Sequence, residues 1–534
     1  MYVKQRATVL LFTIIWTFLA IGGRLTYLAT RQEHLAAANS QSLYTLTVDT
    51  PRGTIFDRNG IPLTNRETIT KLTVTPTPAI ISQIHQLFEG KQKNDLLTQL
   101  SQRKPFVITS PSPVSLEGAI RFSCRNNLPY YQPAVHLIGY TDAAGQQGVS
   151  GLQQEFQQLL ACYAPTTVTY TCDAVGGALS GVAPTVFSES ALYQSGLTVT
   201  LDYAIQQAAK NAFPTGKRGA ILVQQAGSGQ LLALYSAPNF SPQSVKQALN
   251  DPALPLLNRG LTAYNVGSVF KLCVAAAALE AGISTDRTYT CTGSIVFSQP
   301  FSCHKKEGHG TLDMTQAMAL SCNTYFMDLA AAVGGQAIYD TAVKMGLGQS
   351  LSLTPTLTSQ AGRLPDVTEL LRSPAELANF AIGQGVLMAS PLQIAALTNA
   401  IVNGGIYFPP YLISKTTDKA QNTTVFPAPS GRRILSVDTS HTLLQMMTAV
   451  MTEGTGQSGR SSVVTAAGKT ATAQTGMVTQ NKQPINQGWF TGCCPSESPQ
   501  YVITVLIEDA QSGGLDAAPV FRKLCDALFS SNGS

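Results

Sequence analysis

Ser268 and Lys271, in the segment Ser-Val-Phe-Lys, have the residue types and spacing of a nucleophile and its base. A serine hydroxyl is a poor nucleophile unless a nearby base takes its proton. If Ser268 opens a helix, Lys271 lies one turn later on the same face, and free N–H groups at the helix N-terminus can stabilise an oxyanion. Burial beside a second cation would lower the pKa of the lysine until it accepts a proton. The alternative is an N-cap serine followed by a surface lysine.

Two further motifs place polar side chains that could assist such a reaction. Ser321 and Asn323 flank Cys322 between helical stretches, so a hydroxyl and an amide can face one cleft from a tight turn. Residues 469–472 (Lys-Thr-Ala-Thr) lie in an alternating segment, which indicates a strand that a ligand backbone could join. A helix cap is the alternative for the first motif, and an edge strand with a solvated lysine is the alternative for the second.

The order of these motifs resembles that of the penicillin-recognising acyltransferases, the penicillin-binding proteins and serine β-lactamases. Ser-x-x-Lys is followed after about 50 residues by Ser-x-Asn, and after about 145 more by Lys-Thr-small in a strand. Further segments resemble the class B penicillin-binding proteins, two in their pedestal and four in their transpeptidase domain. These segments are RGTIFDRNG (52–60), HLIGYTDAAGQQGVSGLQQEF (136–156), TLDYAIQ (200–206), LNRGLTAYNVGSVFK (257–271), AIGQGVLMASPLQIA (381–395) and GWFTG (488–492).

The resemblance implies a peptidoglycan D,D-transpeptidase. In that reaction Ser268 would attack the penultimate D-Ala carbonyl of a stem peptide, and Lys271 would take its proton. Ser321 would relay a proton to the departing D-Ala, and Asn323 would hold the substrate amide. An amine from a neighbouring stem would then resolve the acyl-enzyme and form a cross-link. β-Lactams would trap the same serine.

The same resemblance assigns the terminal carboxylate of the substrate to Lys469, Thr470 and Thr472, and the oxyanion to the backbone N–H groups of Ser268 and Thr472. Two departures from the family pattern bear on this site. Ala471 stands where the family usually has glycine, and Asn-Val-Gly at 265–267 replaces the usual Pro-Gly approach to the serine. The Ala471 methyl could crowd the substrate or tilt the strand. Because neither departure removes a reacting group, we expect activity with altered β-lactam affinity.

Cys291, Cys303, His309 and Cys322 form a second group of candidate ligands, separated by 11, 5 and 12 residues. Three thiols and one imidazole suit tetrahedral Zn²⁺, and residues 291–310 resemble a loop that binds zinc in some elongation-type class B enzymes. A Cys291–Cys303 disulfide is the alternative outside the cytoplasm, and unpaired thiols are a third possibility. We expect His304 at the surface and no organic cofactor.

The N-terminal segment predicts a membrane helix. Residues 7–23 carry no charge and, as a helix, would cover about 25 Å of a ~30 Å hydrocarbon core. Arg24 can extend its guanidinium to the interface, which lets the helix continue to Ala29. A cleaved signal peptide is the alternative, although its apolar region is normally ~7–15 residues. We therefore expect a single-pass protein of the cell membrane with an extracytoplasmic catalytic domain.

Residue patterns and the resemblance together predict an α+β protein with four parts. These are a cytoplasmic tail (1–6), a transmembrane anchor (7–29), a β-rich pedestal (30–195) and a transpeptidase domain with an antiparallel sheet flanked by helices (196–534). Within the last part, residues 219–238 indicate a hairpin and residues 501–508 a strand. Helical patterns dominate the stretch between them, so the first and last strands are expected to pair.

Composition excludes some function classes. Charged residues make up 12% of the chain and the net charge is +5, which is too weak to indicate nucleic-acid binding. Three classes remain: a cell-wall transpeptidase, a β-lactamase or D,D-carboxypeptidase using the same serine, and a β-lactam sensor or scaffold. The anchor and pedestal argue against the hydrolases, and the intact Ser268, Lys271 and Lys469 argue against a scaffold. The resemblance also implies a membrane-embedded SEDS glycosyltransferase as partner.

Overall fold

The structure, a computed structural model, describes residues 2–30, 42–110, 114–161, 164–188, 195–478 and 482–530. The chain divides into two units. The N-terminal unit contains residues 1–51, 67–126 and 162–193, and the catalytic unit contains 52–66, 127–161 and 194–534. Residues 52–66 and 127–161, which the sequence interpretation placed in the pedestal, therefore group with the C-terminal part of the chain. Predictions for residues 31–41 and for Cys162 lie outside the described residues.

The elements have the following bounds. The helices are Tyr2–Thr30, Pro78–Leu87, Gly90–Ser101, Val135–Ile138, Gly151–Glu155, Gln157–Leu160, Tyr203–Ala212, Val245–Leu249, Lys271–Glu280, Met314–Ala319, Asn323–Val333, Gly335–Lys344, Val367–Arg372, Pro374–Ala381, Pro391–Val402, Val437–Thr452 and Ala518–Ser530. The strands are β1 (Leu43–Asp49), β2 (Thr54–Phe56), β3 (Thr68–Val74), β4 (Phe106–Ser110), β5 (Ile120–Arg125), β6 (Thr166–Thr171), β7 (Thr185–Phe187), β8 (Gly196–Val199), β9 (Gly219–Gln225), β10 (Leu231–Ala237), β11 (Tyr264–Asn265), β12 (Tyr289–Cys291), β13 (Ser294–Val296), β14 (Pro300–Ser302), β15 (Gly310–Leu312), β16 (Met388–Ala389), β17 (Ile406–Tyr407), β18 (Ile413–Thr417), β19 (Thr423–Val425), β20 (Arg432–Arg433), β21 (Ala467–Val478), β22 (Pro484–Cys494) and β23 (Tyr501–Ile507).

The N-terminal unit contains one long helix and two three-stranded sheets. Helix Tyr2–Thr30 is long and apolar enough to cross a membrane, and it begins five residues before the predicted anchor. Strands β1, β6 and β7 form one sheet, and β4, β3 and β5 form the other. Leu72, Ile84 and Ile108 are completely or almost completely buried between the second sheet and its two short helices.

The catalytic unit is organised around an antiparallel five-stranded sheet in the order β10-β9-β23-β22-β21. The predicted hairpin of β9 and β10 is present, and β9 pairs with the last strand, β23. The expectation that the first and last strands of this part of the chain pair is wrong for β8, which comes first and pairs with β2 and β18 instead. β21 forms one edge of this sheet, and β2 pairs in parallel with β8 in a separate four-stranded sheet.

Helices fill the space beside the central sheet and position the catalytic motifs. The segment 271–280 (KLCVAAAALE) is buried along nearly its whole length, because its small side chains allow neighbouring helices to approach it closely. Helix Pro391–Val402 is likewise buried and starts with a capping box between Ser390 and Gln393. The predicted α+β fold with a helix-flanked antiparallel sheet is confirmed.

Candidate active site

Ser268 lies at the start of a helical run and lines a cleft of about 530 Å³. The 3₁₀ turn Gly267–Phe270 leads directly into the following helix, as the Ser-x-x-Lys spacing predicts. Gly267 has a φ of +64°, and its N–H donates to the Gly383 carbonyl at 2.8 Å. A Cβ at position 267 would lie 3.1 Å from that of Ala473, so β21 packs directly against this turn, named here the Ser268 turn.

Lys271 is completely buried, and its Nζ donates to Asn323 Oδ1 and to the Ser321 carbonyl, both at 2.7 Å. The same nitrogen lies 3.3 Å from Ser321 Oγ. Burial lowers the pKa of Lys271 to about 7, although the neighbouring thiols Cys322 and Cys303 oppose this shift. Because an uncharged amine is then well populated near neutral pH, Lys271 can accept a proton.

Ser321 occupies a tight turn between two helices. Its φ is +53°, a left-handed conformation that is uncommon for a residue other than glycine and is often found at functional sites. The preceding helix ends at Ala319, and the next begins at Asn323 with Cys322 as its N-cap. This turn brings Ser321 and Asn323 to the same cleft, as the Ser-x-Asn motif predicted.

Lys469 approaches Ser321 from the central sheet. Its Nζ donates to Ser321 Oγ and to the Thr470 carbonyl, each at 3.0 Å. Burial is the main reason why the pKa of Lys469 is well below its usual value, and the nearby Lys271 adds to the effect. The Ser321 hydroxyl therefore lies within hydrogen-bond distance of two buried amines.

Thr470 and Thr472 line the cleft from β21, and the N–H of Gly513 donates to Thr472 Oγ1 at 3.2 Å. Ala471 also borders the cleft, but it is 3% exposed and belongs to a core cluster with Trp489. Successive side chains of a strand point to opposite faces, so the Ala471 methyl is on the face opposite the two threonine side chains. The methyl group therefore adds to the core rather than crowding the threonines.

Thr455 was not identified from the sequence, although it lines the same cleft. Its Oγ1 lies 2.6 Å from Thr470 Oγ1, and its N–H donates to the Ala319 carbonyl at 3.1 Å. The absence of a side chain at Gly454 allows this close contact, because a Cβ there would clash with the Ala319 carbonyl oxygen at 2.1 Å. Thr455 thus connects the start of the Ser321 turn with Thr470. The segment Glu-Gly-Thr-Gly at 453–456 is the signal that could have indicated it.

Several other cleft residues had no motif to mark them. His304, expected at the surface, is exposed and also lines the cleft. Leu515 is 66% exposed at the cleft, in the π-helical turn Gly513–Ala517. Gln384, Gln457 and Ser458 also line the cleft.

The four predicted metal ligands form one cluster. His309 Nδ1 lies 3.6 Å from the sulfurs of Cys291 and Cys303, and the sulfurs of Cys303 and Cys322 are 3.9 Å apart. All four ligand atoms lie within 4.8 Å of one another. Cys291 and Cys303 are free thiols, so the alternative disulfide is not formed. Burial lowers the pKa of His309, which favours the neutral imidazole that metals bind.

Comparison with known proteins identifies the catalytic unit. A family profile described as "Penicillin binding protein transpeptidase domain" matches residues 219–526, which contain all three catalytic motifs. The chain belongs to the penicillin-binding protein transpeptidase family. Its relatives include named peptidoglycan D,D-transpeptidases and the stage V sporulation protein D of Bacillus subtilis, and the predicted resemblance to class B penicillin-binding proteins is confirmed.

Relatives of this penicillin-binding protein match most of its length. It is 26% identical, over 95% of the chain, to the peptidoglycan D,D-transpeptidase MrdA of Acinetobacter baumannii, of which it covers 85%. It is 30% identical, over 60% of the chain, to the peptidoglycan D,D-transpeptidase PbpA of Mycolicibacterium smegmatis, of which it covers 70%. Penicillin-binding protein 3 of Mycobacterium tuberculosis, solved with aztreonam, gives a TM-score of 0.63 at 24% identity, covering 92% of this chain and 97% of that one. The fold is therefore shared along most of the chain.

Proposed function

We propose that the protein is a peptidoglycan D,D-transpeptidase that works through an acyl-enzyme on Ser268. One arrangement carries this proposal: the amines of Lys271 and Lys469 both lie within 3.3 Å of the Ser321 hydroxyl, beside the cleft that Ser268 lines. Buried amines with lowered pKa values, next to a serine at the start of a helix, suit acyl transfer.

The reaction begins when Ser268 Oγ bonds to the penultimate D-Ala carbonyl carbon and its proton passes to Lys271 Nζ. The carbon–nitrogen bond then breaks, and the proton held by Lys271 passes through the Ser321 hydroxyl to the departing D-Ala amine. An acceptor amine attacks the resulting ester and gives a proton to Lys271, which returns it to Ser268 Oγ as the carbon–oxygen bond of the ester breaks. The product is an amide cross-link. During the reaction the Asn323 side chain would bind both Lys271 Nζ and the substrate amide.

The terminal carboxylate of the donor peptide would lie against β21. Lys469, Thr470 and Thr472 supply one cationic group and two hydroxyls there, and hydrogen bonds to a carboxylate are stronger than those between neutral groups. The backbone N–H groups of Ser268 and Thr472 would form the oxyanion hole. Support for this arrangement comes from the edge position of β21, which leaves room for a peptide to be added alongside it.

Labelling with a fluorescent penicillin tests the proposal. The wild-type protein is expected to become stably labelled, Ser268→Ala is expected to remain unlabelled, and Ser101→Ala, on an exposed helix end, is the control. Rapid loss of the label would favour a β-lactamase, and absence of label would favour a scaffold. Formation of cross-linked product from donor and acceptor stem peptides separates a transpeptidase from a D,D-carboxypeptidase or a sensor.

We also infer that Cys291, Cys303, His309 and Cys322 hold a structural zinc ion. The donor set fits, because three sulfurs and one imidazole nitrogen lie together and three of the four residues are buried. Four protein ligands leave no open position, so the metal would supply rigidity. Cys322 lies between Ser321 and Asn323 in the chain, and a metal bound there would hold the turn that carries both side chains.

The membrane location and partners belong to the same proposal. Helix Tyr2–Thr30 would anchor the protein as a single-pass segment. Residues 30–195 would form the pedestal, except that 52–66 and 127–161 group with 196–534, the extracytoplasmic transpeptidase domain. A SEDS-type glycosyltransferase would supply the glycan strand and contact the anchor and pedestal. An Arg24→Leu variant that still forms the complex and functions normally would contradict a role for Arg24 in that contact.

A further inference from the structure

Arg218, Arg259, Tyr264 and Glu508 form a polar cluster in the catalytic unit, named here the Glu508 network. Arg259 and Tyr264 are buried, whereas Glu508 and Arg218 are partly exposed. Glu508 Oε1 accepts hydrogen bonds from Arg259 Nε at 2.7 Å and from Tyr264 Oη at 2.8 Å. The other carboxylate oxygen lies 3.1 Å from Arg218 Nε. Among the described residues that line the cleft, none belongs to this network. The proposed reaction therefore gives these charged groups no role.

The network reaches the Ser268 turn through Tyr264, four residues before Ser268. Tyr264 is 7% exposed and lies in β11, where it pairs with Ala389. Burial, and then the Glu508 carboxylate, raise the pKa of Tyr264, so its phenol keeps its proton and remains a donor. A hydrogen bond from a neutral hydroxyl to an ionised carboxylate is among the stronger kinds in proteins.

The next residues of the same segment are held by other elements. Trp489 Nε1, in β22, donates to the Asn265 carbonyl at 2.8 Å, and the rings of Trp489 and Tyr264 meet edge to face at 6.4 Å. The N–H of Gly267 donates to the Gly383 carbonyl at 2.8 Å. The four residues that lead into Ser268 are therefore held by the pairing of β11 with β16 and by several hydrogen bonds, of which the Glu508 network supplies the first along the chain.

We propose that Tyr264 and Glu508 are positioning residues that aim the Ser268 hydroxyl at the scissile carbonyl. This inference rests on the proposed function and extends it. Acyl transfer needs the reacting atoms about 3–3.5 Å apart, and a displacement of about 1 Å can cost about 10²-fold in rate. Because the other contacts of the segment remain, loss of this one hydrogen bond should move the turn by less than about 1 Å. The loss expected from breaking the Tyr264–Glu508 hydrogen bond is therefore about tenfold.

The test uses a Tyr264→Phe variant, which removes the hydroxyl and keeps the ring against Trp489. Stopped-flow acylation by benzylpenicillin gives the dissociation constant of the first complex and the first-order acylation rate constant separately. We expect the rate constant to fall about tenfold while the dissociation constant changes less than about twofold. This split is the signature of a positioning role, because general loosening of the fold would weaken binding as well.

Tyr170→Phe is the matched control. Tyr170 is 5% exposed, belongs to the N-terminal unit and donates a 2.7 Å hydrogen bond to Thr73 Oγ1. Both variants lose one buried hydroxyl, so we expect similar decreases in Tm, but only Tyr264→Phe should acylate slowly. The inference is overturned if Tyr264→Phe acylates at the wild-type rate, or if its binding weakens in step with its rate. Wild-type protein that is not acylated at Ser268 would refute the proposed function itself, and this inference with it.

Discussion

Lys271 and Lys469 direct their side-chain amines at one oxygen atom, Ser321 Oγ, from 3.3 Å and 3.0 Å. Both lysines are completely buried. Two charged ammonium groups this close in a buried site would repel each other strongly, and burial already lowers the pKa of each. This arrangement makes an uncharged lysine available at neutral pH, which a serine nucleophile requires.

The acylation rate should therefore depend on pH through Lys271. Its pKa is about 7, so the uncharged, proton-accepting form increases as the pH rises through that value. We expect the benzylpenicillin acylation rate constant to increase from about pH 6 to about pH 8 with a midpoint near 7. Lys271→Arg stays protonated throughout and should lose at least about 100-fold in rate. A rate that is constant or falls over this range would contradict Lys271 as the base.

Thr455 should contribute to recognition of the substrate carboxylate. A Thr455→Val change keeps the shape of the side chain but removes the hydroxyl that lies 2.6 Å from Thr470 Oγ1. Thr470 then loses a partner that orients its own proton, and we expect acylation by penicillin to slow about five- to tenfold. Thr452→Val is the control, because the exposed Thr452 hydroxyl donates a hydrogen bond to the Thr448 carbonyl of its own helix. If the two variants are acylated at equal rates, Thr455 does not contribute to recognition of the substrate carboxylate.

Zinc content should depend on Cys322. Purified wild-type protein is expected to contain about one equivalent of zinc by elemental analysis, and Cys322→Ser is expected to lose most of it. Cys172→Ser, at a buried cysteine of the N-terminal unit, should leave the zinc content unchanged. Metal-free wild-type protein would end the zinc proposal without affecting the proposed acyl transfer.

Ala471→Gly should alter stability more than reactivity. The Ala471 methyl is buried with Trp489, and its loss from a strand should cost about 1 kcal/mol in the free energy of unfolding. The threonine side chains lie on the other face of β21, so penicillin acylation should change less than about twofold. Denaturant unfolding and stopped-flow acylation measure the two effects. A large gain in acylation with unchanged stability would show instead that the methyl crowds the substrate.

The catalytic motifs could be predicted from the sequence because each depends on local geometry. Ser268 and Lys271 share one helical run, and Ser321 and Asn323 share one turn, so their spacing already determines which side chains face the same way. Residues 469–472 lie in a segment whose alternating residue types predict a strand, and the structure places them in β21. The meeting of the three motifs was inferred from a family resemblance, because no local pattern determines contacts between distant segments.

Thr455 and the Glu508 network could not be predicted in this way. Thr455 reaches Thr470 because Gly454 lies against the Ala319 carbonyl, and this contact depends on how two helices and a strand pack. Glu508 and Tyr264 are 244 residues apart in the chain and meet at 2.8 Å. A lone glutamate after an apolar strand has no distinctive pattern, so its partners become visible only when the sheet is assembled.

The interleaving of the two units limits how this chain can be dissected. β2 and the segment 127–161 belong to the catalytic unit, yet residues 67–126 of the N-terminal unit lie between them in the chain. A protein shortened to start at residue 196 would leave β8 without its parallel neighbour and uncover Leu197, which is completely buried. To obtain the enzyme in soluble form, the apolar first helix should therefore be removed and the rest of the chain retained, including the remainder of the N-terminal unit.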